Sequence, residues 1–387
     1  MQSTNKDIRL FIAGDFCSKP STSKITVSEE LLSLIQTCDL KVVNFEVPLK
    51  PENVHLSSQR KERYFQNDDC PDFLRKIGFN LFQLANNHAF DWGDEGFKKT
   101  KAALGDDSFG AGTYDEAYKV KVCEVNGSRI GFLSLTYAAY NGVFSDLTNH
   151  EGLGCAYIND LKVNHVIIEA KKHVDYLFVL THDGIEYIDI PLPDTIARYR
   201  DLIDYGADGV FGTHPHCPQG WEEYKGKPIF YSLGNFYFNS KEGYDYRALN
   251  RQHWYEGLCV LLKISDGHLS WEIVNTRNVD NLEIGLDHDD ARDEHNLKVC
   301  RYLSNKDEYE RYIDELCSSL GQKDLSIIDK TFHLYSLNAS TKLLFKIWID
   351  KFRGKVFLND YPLHRLITND VRRDLLLLTL KRKNIKF

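Results

Sequence analysis

This sequence predicts an α/β fold: a mixed β-sheet sandwich flanked by helices, with a C-terminal helical extension. Three observations predict it. Over roughly the first 280 residues, short apolar runs alternate with helix-like stretches, the pattern of a mixed α/β core. Two pairs of apolar runs flank the hairpin dipeptides Asn126-Gly127 and Asp266-Gly267. Past an acidic stretch, the remainder turns helical with little β-branched alternation.

The expected strands are residues 9–13, 41–45, 81–85, 176–181, 209–212 and 229–233. Most are continuous β-branched or aromatic runs, as in strands covered on both faces. A helix is expected over residues 93–104, with Asp91 as its cap. A second is expected over residues 194–205, stopped by Gly206. Residues 120–125 with 129–135, and 258–264 with 269–274, read as two hairpins. The run DNLEIGLDHDDARDEH is acidic and almost free of large apolar side chains, so it reads as a solvated linker. The tail VRRDLLLLTLKRKNIKF reads as a leucine-rich helix whose basic end suits a helix C-terminus. The expected division is a domain of residues 1–280, an acidic linker of 281–297 and a helical region of 298–387.

Composition narrows the function classes. With 42% hydrophobic and 27% charged residues, the chain of 387 residues is ordinary globular protein, not a disordered one. Its 48 basic and 56 acidic residues leave a net charge of −8, which argues against nucleic acid as a partner. No apolar run reaches the roughly 18 residues of a membrane span. The N-terminus MQSTNKDIRLFIAGDF lacks the apolar core of a signal peptide. The nine cysteines are scattered without a CxxC pair, so reduced thiols and a cytoplasmic location are expected.

The chemistry gathers at the carboxyl ends of the expected strands, where open α/β sheets bind ligands. FIAGDF brings Asp15, VVNFEVPL brings Asn44 and Glu46, and QLANNHAFDWG brings Asn86, Asn87, His88 and Asp91. VLTHDGIEY supplies His182, Asp183, Glu186 and Tyr187, and VFGTHPHCPQG supplies His214 and His216. Carboxylates, an amide oxygen and imidazoles form a mixed O/N donor set suited to divalent Mn, Fe or Zn. Two such ions sharing one acid would activate water and clamp a phosphate ester. Pro215 stiffens the spacing of the two histidines around it. Glu186 and Tyr187 read as pocket lining, or Glu186 as a carboxylate at a helix start. In YSLGNF, Gly234 suits a positive φ and Asn235 a backbone tie, with Asn235 also a candidate substrate contact.

The series GDF, NFEVPL, ANNHAFDWG, THDGIEY and GTHPHCPQGWEEYKGKPIFYSLGNF resembles the CapA family of poly-gamma-glutamate capsule-biosynthesis proteins. That family is similar in fold to the calcineurin-like metallophosphoesterases. The resemblance runs in order from about residue 9 to about residue 276 and leaves the C-terminal region uncovered. It implies Asp15 as a ligand of a first metal and as part of the catalytic centre, with Glu46 in the place of a bridging aspartate. It implies Asn87, His182 and His214 at a second metal, His216 at the first, and His88 as general acid or phosphate contact. Asn86, Asp183, Glu186, Tyr187 and Asn235 fall to substrate binding. Two departures stand out. Cys17 occupies the position where metallophosphoesterases carry a histidine, and Glu46 is one methylene longer than the usual aspartate.

The function expected is therefore a metal-dependent hydrolase of surface-polymer biosynthesis, holding one or two divalent ions and acting on a phosphoester or an anionic polymer. The alternative is a non-catalytic polyanion-binding or assembly protein that serves a polymer-synthase partner.

Overall fold

The computed structural model describes residues 7–52, 64–138, 142–144, 151–239, 253–321 and 370–382. In chain order, the strands of the first half are β1 (Ile8–Ser18), β2 (Thr26–Val27), β3 (Leu40–Phe45), β4 (Leu81–Gln83), β5 (Ser108–Phe109), β6 (Ala111–Gly112), β7 (Lys121–Val125), β8 (Ser128–Thr136) and β9 (Val143–Phe144). Those of the second half are β10 (Gly154–Ala156), β11 (Tyr176–His182), β12 (Gly209–Thr213), β13 (Pro218–Tyr224), β14 (Lys227–Leu233), β15 (Asn235–Asn239), β16 (Glu256–Ser265), β17 (His268–Val279) and β18 (Glu283–Leu286). The main helices are α1 (Glu29–Gln36), α2 (Cys70–Ile77), α3 (Gly93–Leu104), α4 (Tyr114–Ala117), α5 (Leu161–Ala170), α6 (Pro193–Asp204), α7 (Asp290–Ser304), α8 (Lys306–Leu316) and α9 (Asp370–Arg382).

Two large mixed sheets form. One runs β2-β18-β17-β16-β1-β3-β4-β5, with β15 also paired to β1; the other runs β13-β14-β12-β11-β8-β7. Strand alternation explains how they stack, because successive side chains leave a strand on opposite faces. Leu10 and Ile12 of β1 meet Phe132, Phe178, Leu180, Phe211 and Phe230 between the sheets. Phe11 and Ala13, one residue out of phase, pack outward among Leu31, Ile35, Leu74 and Phe97 of α1–α3. Val179 and Val210 of the second sheet likewise pack outward on Val163 and Ile167 of α5 and Tyr199 and Leu202 of α6. The result is a helix–sheet–sheet–helix sandwich, and both hairpins form where Asn126-Gly127 and Asp266-Gly267 placed them.

Three expectations are corrected. The segment expected as an acidic linker holds β18, which pairs with β17 and β2, and the first half of α7. Its charge misled because α7 buries Arg292 and Asn296 beside Val299, and Arg292 pairs with Glu256. Asp91 does not cap α3: the capping position is Trp92, without a side-chain bond, and the Asp91 carboxylate holds His88 instead. Strands β1 and β11 run longer than expected, so Asp15 and His182 lie inside strands rather than after them. Of the region expected to be helical, α7, α8 and α9 are seen; residues 322–369 lie outside the described residues.

Candidate metal centre

The two sheets converge where β1 passes β14 and β15. The Asp15 amide donates to the carbonyl of Gly234 at 2.9 Å. A Cβ on Gly14 would lie 2.0 Å from that oxygen, so only glycine permits the approach. The pairing of β1 with both β3 and β15 slips next to Asp15, a bulge of the kind that re-aims a side chain beside a site. On the facing sheet, Gly212 plays the equivalent part: a Cβ there would lie 2.1 Å from the Tyr231 carbonyl oxygen. The next turn carries His214 and His216 at φ 101° and 55°, conformations that non-glycine residues hold at a cost.

Asp15, Glu46, Asn87, His182, His214 and His216 are drawn together from five chain segments, and all are buried. Donor atoms of Asp15, Glu46 and His216 lie within 4.8 Å of one another, as do those of Glu46, His182 and His214. Glu46 is common to both sets. Its Oε1 stands 3.6 Å from His216 Nε2 and 3.8 Å from His182 Nε2. Both Glu46 oxygens are buried, and neither has a hydrogen-bond partner among the described residues. Burial first, then the charges of Asp15, Glu186 and Asp91, push its carboxyl well above the ordinary range. Burial works the same way on Asp15, but His182, His216 and Asn44 outweigh it and hold that carboxyl below its ordinary value. Burial lowers His182 and His216 against the pull of Asp15, keeping both imidazoles neutral and able to ligate.

The supporting contacts are specific. Asn44 Nδ2 donates to Asp15 Oδ1 at 2.6 Å and lies 3.1 Å from His182 Nδ1. The Asp15 Oδ2 atom accepts the His214 backbone N–H at 3.0 Å. His182 Nδ1 also meets Thr213 Oγ1 at 3.0 Å, and its Nε2 meets Asn87 Oδ1 at 2.9 Å and His214 Nδ1 at 3.1 Å. His216 Nδ1 lies 2.9 Å from Asn235 Oδ1, and a proton held there leaves Nε2 free. Tyr187, Phe238 and Trp254 pack around the His216 ring, and Tyr137 lies 4.7 Å from that of His214. His88 stands at the rim with its side chain 16% exposed, its Nδ1 2.9 Å from Asp91 Oδ2.

The residues expected to bind substrate make contacts of their own. The Asn235 amide meets His216 Nδ1 with its oxygen and donates to the Trp254 carbonyl. The Asn86 amide is engaged at both ends, donating to the Phe45 carbonyl and to Asn44 Oδ1 and accepting from the His88 N–H. It shapes the loop. Asp183 faces away, into a small cavity with Asp194, Thr195, Arg198, Asp370 and Asp374, because it follows His182 on the alternation of an extended chain. Glu186 and Tyr187 do flank the centre: Glu186 acts on Glu46 through its charge, and Tyr187 stacks on His216. Cys17 packs with Val47, Phe238 and Trp254, and burial pushes its thiol well above the ordinary range. The supporting roles of Asn44, Thr213, Tyr137 and Trp254 were not read from the sequence. Strand parity was the available signal for Asn44, two residues before Glu46.

The donor set fits a divalent ion: two acids, an amide oxygen and three imidazoles, with an acid at the junction whose oxygens have no other partner. Fold and centre together define an α/β sandwich protein with a carboxylate–imidazole site at its strand ends. A sequence profile described as the bacterial capsule synthesis protein PGA_cap matches residues 11–240, and the chain belongs to that family. It is 33% identical over 212 residues to the PGA biosynthesis protein CapA of Bacillus subtilis, covering 53% of this chain and 55% of that one. It is 33% identical over 214 residues to the capsule biosynthesis protein CapA of Bacillus anthracis, covering 51% and 49%. The chain thus spans about half the length of these curated relatives. A solved structure described as a novel phosphatase from Mycoplasma pneumoniae aligns with 70% of this chain and 93% of its own, at 14% identity and a TM-score of 0.40, too distant for inference.

Proposed function

We propose that this chain is a metal-dependent hydrolase of the metallophosphoesterase kind, cleaving a phosphoester or related bond in the biosynthesis of a capsule or other surface polymer. The observation that carries the reading is Glu46. A carboxylate buried without any hydrogen-bond partner, at the junction of two donor sets, is costly unless a cation completes it. Asp15, Glu46 and His216 would hold one divalent ion, and Glu46, Asn87, His182 and His214 a second. Bound Mn, Fe or Zn supplies Lewis acidity and a water of lowered pKa.

The chain's own groups do the rest. Asn44, Thr213 and Asn235 set the imidazole orientations, as hydrogen-bonding neighbours of metal-ligating histidines do. Asp91 holds the Nδ1–H of a His88 imidazolium, whose Nε2–H would pass to the leaving group and leave the neutral ring behind. Glu186 and Tyr187 form the wall beside His216. The names of the relatives support a polymer-related substrate or partner, such as an anionic polymer. All nine cysteines are free, which suits a reducing compartment. No helix among the described residues is long and apolar enough to cross a membrane.

The second reading, a non-catalytic polyanion-binding or assembly protein serving a polymer synthase, is favoured by Cys17, which withholds a ligand where metallophosphoesterases have one. Elemental analysis of the purified protein together with turnover of a generic aryl phosphate separates the two. Stoichiometric Mn, Fe or Zn with hydrolysis, lost in a His88→Ala, His216→Ala double variant, supports the hydrolase. Full activity in that variant removes it, and polymer binding without metal or turnover installs the second reading.

A further inference from the structure

A second group of donors lies behind the wall of the centre, on residues outside the carboxylate–imidazole site. Asp189, His253 and His295 are half-buried, and each offers a ligand atom within 4.8 Å of the others. The two rings stack with centroids 4.1 Å apart and planes 19° from parallel. His295 Nε2 is buried, has no hydrogen-bond partner among the described residues and stands 3.7 Å from Asp189 Oδ2. His253 Nδ1 lies 2.6 Å from Glu256 Oε2, so a proton held there leaves the Nε2 lone pair unused. That carboxylate–histidine pair is the arrangement that fixes the tautomer of a metal-ligating imidazole. Glu256 also pairs with Arg292, which offsets the nearby positive charge.

We propose that Asp189, His253 and His295 form a separate divalent-cation site of zinc type, which staples the C-terminal helices to the α/β sandwich. Two imidazoles and one carboxylate, with water as the fourth ligand, meet the tetrahedral preference of Zn²⁺. Burial and the adjoining His253 ring hold His295 below the usual imidazole range, so its lone pair is available at neutral pH. The placement gives the staple its purpose. His295 lies on α7, and Asp189 Oδ1 accepts from Tyr312 of α8 at 2.5 Å. Asp189 follows Tyr187 by two residues and His253 precedes Trp254, and both aromatic rings pack on His216. An ion here therefore joins α7 directly, and α8 through the Tyr312–Asp189 hydrogen bond, to the segments that line the main centre. This site stands whether or not that centre is hydrolytic.

The test strips the full-length protein with a chelator and titrates it with ZnCl₂, reading bound zinc by mass spectrometry and the melting temperature. A His253→Gln, His295→Gln double variant is expected to bind one equivalent less than the parent and to lose part of the zinc-induced rise in melting temperature. His216→Gln, which alters the main centre, is expected to keep that equivalent. The milder Asp189→Asn variant is expected to bind the same equivalent at least tenfold more weakly, which guards against misfolding of the double variant. Equal zinc content and equal melting shifts in the parent, the double variant and Asp189→Asn would overturn the site. Loss of zinc in His216→Gln alone would do the same while leaving the main centre intact as a metal site.

Discussion

Both oxygens of Glu46 lie buried without a hydrogen-bond partner, a state that costs about 1–3 kcal/mol or more for a charged group. Around it, Asn44, Thr213, Asn87 and Asn235 each meet a histidine nitrogen, so the imidazoles are fixed although the acid is not. Two predictions belong at this scale. Asn235→Ala removes the contact that orients His216 and is expected to weaken divalent-ion affinity by about 10–100-fold, measured by competitive titration with a metal-sensitive dye. An unchanged affinity would show that Asn235 only ties the backbone of Trp254. His88→Ala is expected to lower kcat on an aryl phosphate by about 10²–10⁴-fold at unchanged metal content, read by steady-state kinetics beside elemental analysis. The residue types of the centre were legible in the sequence because each follows an apolar run. What was not legible was direction. Asp183 adjoins His182, yet alternation turns it to the other side, and the Asn235 amide engages His216 and the Trp254 carbonyl.

Elements show the same division between local and distant causes. Helix α3 and both hairpins could be read because local signals set them: the apolar pattern and the turn dipeptides. Helix α7 could not, since its buried face is largely polar and the buried Arg292 pairs with Glu256 from another element. Strand β1 depends on a contact of much longer reach, the approach of Gly14 to Gly234. Gly14→Ala is expected to lower stability at the upper end of the ~1–3 kcal/mol typical of overpacking, read by urea unfolding, because the obstructing atom is a backbone carbonyl. A loss below about 0.5 kcal/mol would mean that the strands can part at little cost. At the start of α9, burial and then Asp370 push the Asp374 carboxyl up from 3.8 to about 6. The folded form therefore holds a proton that the unfolded chain has already released, and stability falls as pH rises from about 4 to about 6. Asp374→Asn is expected to flatten that fall in melting temperature; parallel curves for parent and variant would contradict it.

Among the described residues, two sheets close on one another with helices outside, and both contribute polar side chains to one point at the strand-end rim. Composition foretold the globular fold and strand order foretold the rim. The convergence of Glu46 with three histidines from the facing sheet needed the packed structure, because those residues are more than 130 positions apart. The centre gains a wall from the turn after β11 and from Trp254, and the C-terminal helices brace that wall through Tyr137, Ile185 and Ile190 against Ile313, Leu316 and Leu375. Crystals soaked in a manganese salt test the account most directly, by anomalous scattering. The account predicts two peaks about 3.5–4 Å apart with the Glu46 carboxylate between them. Density for manganese elsewhere on the protein, with none beside Glu46, would contradict it.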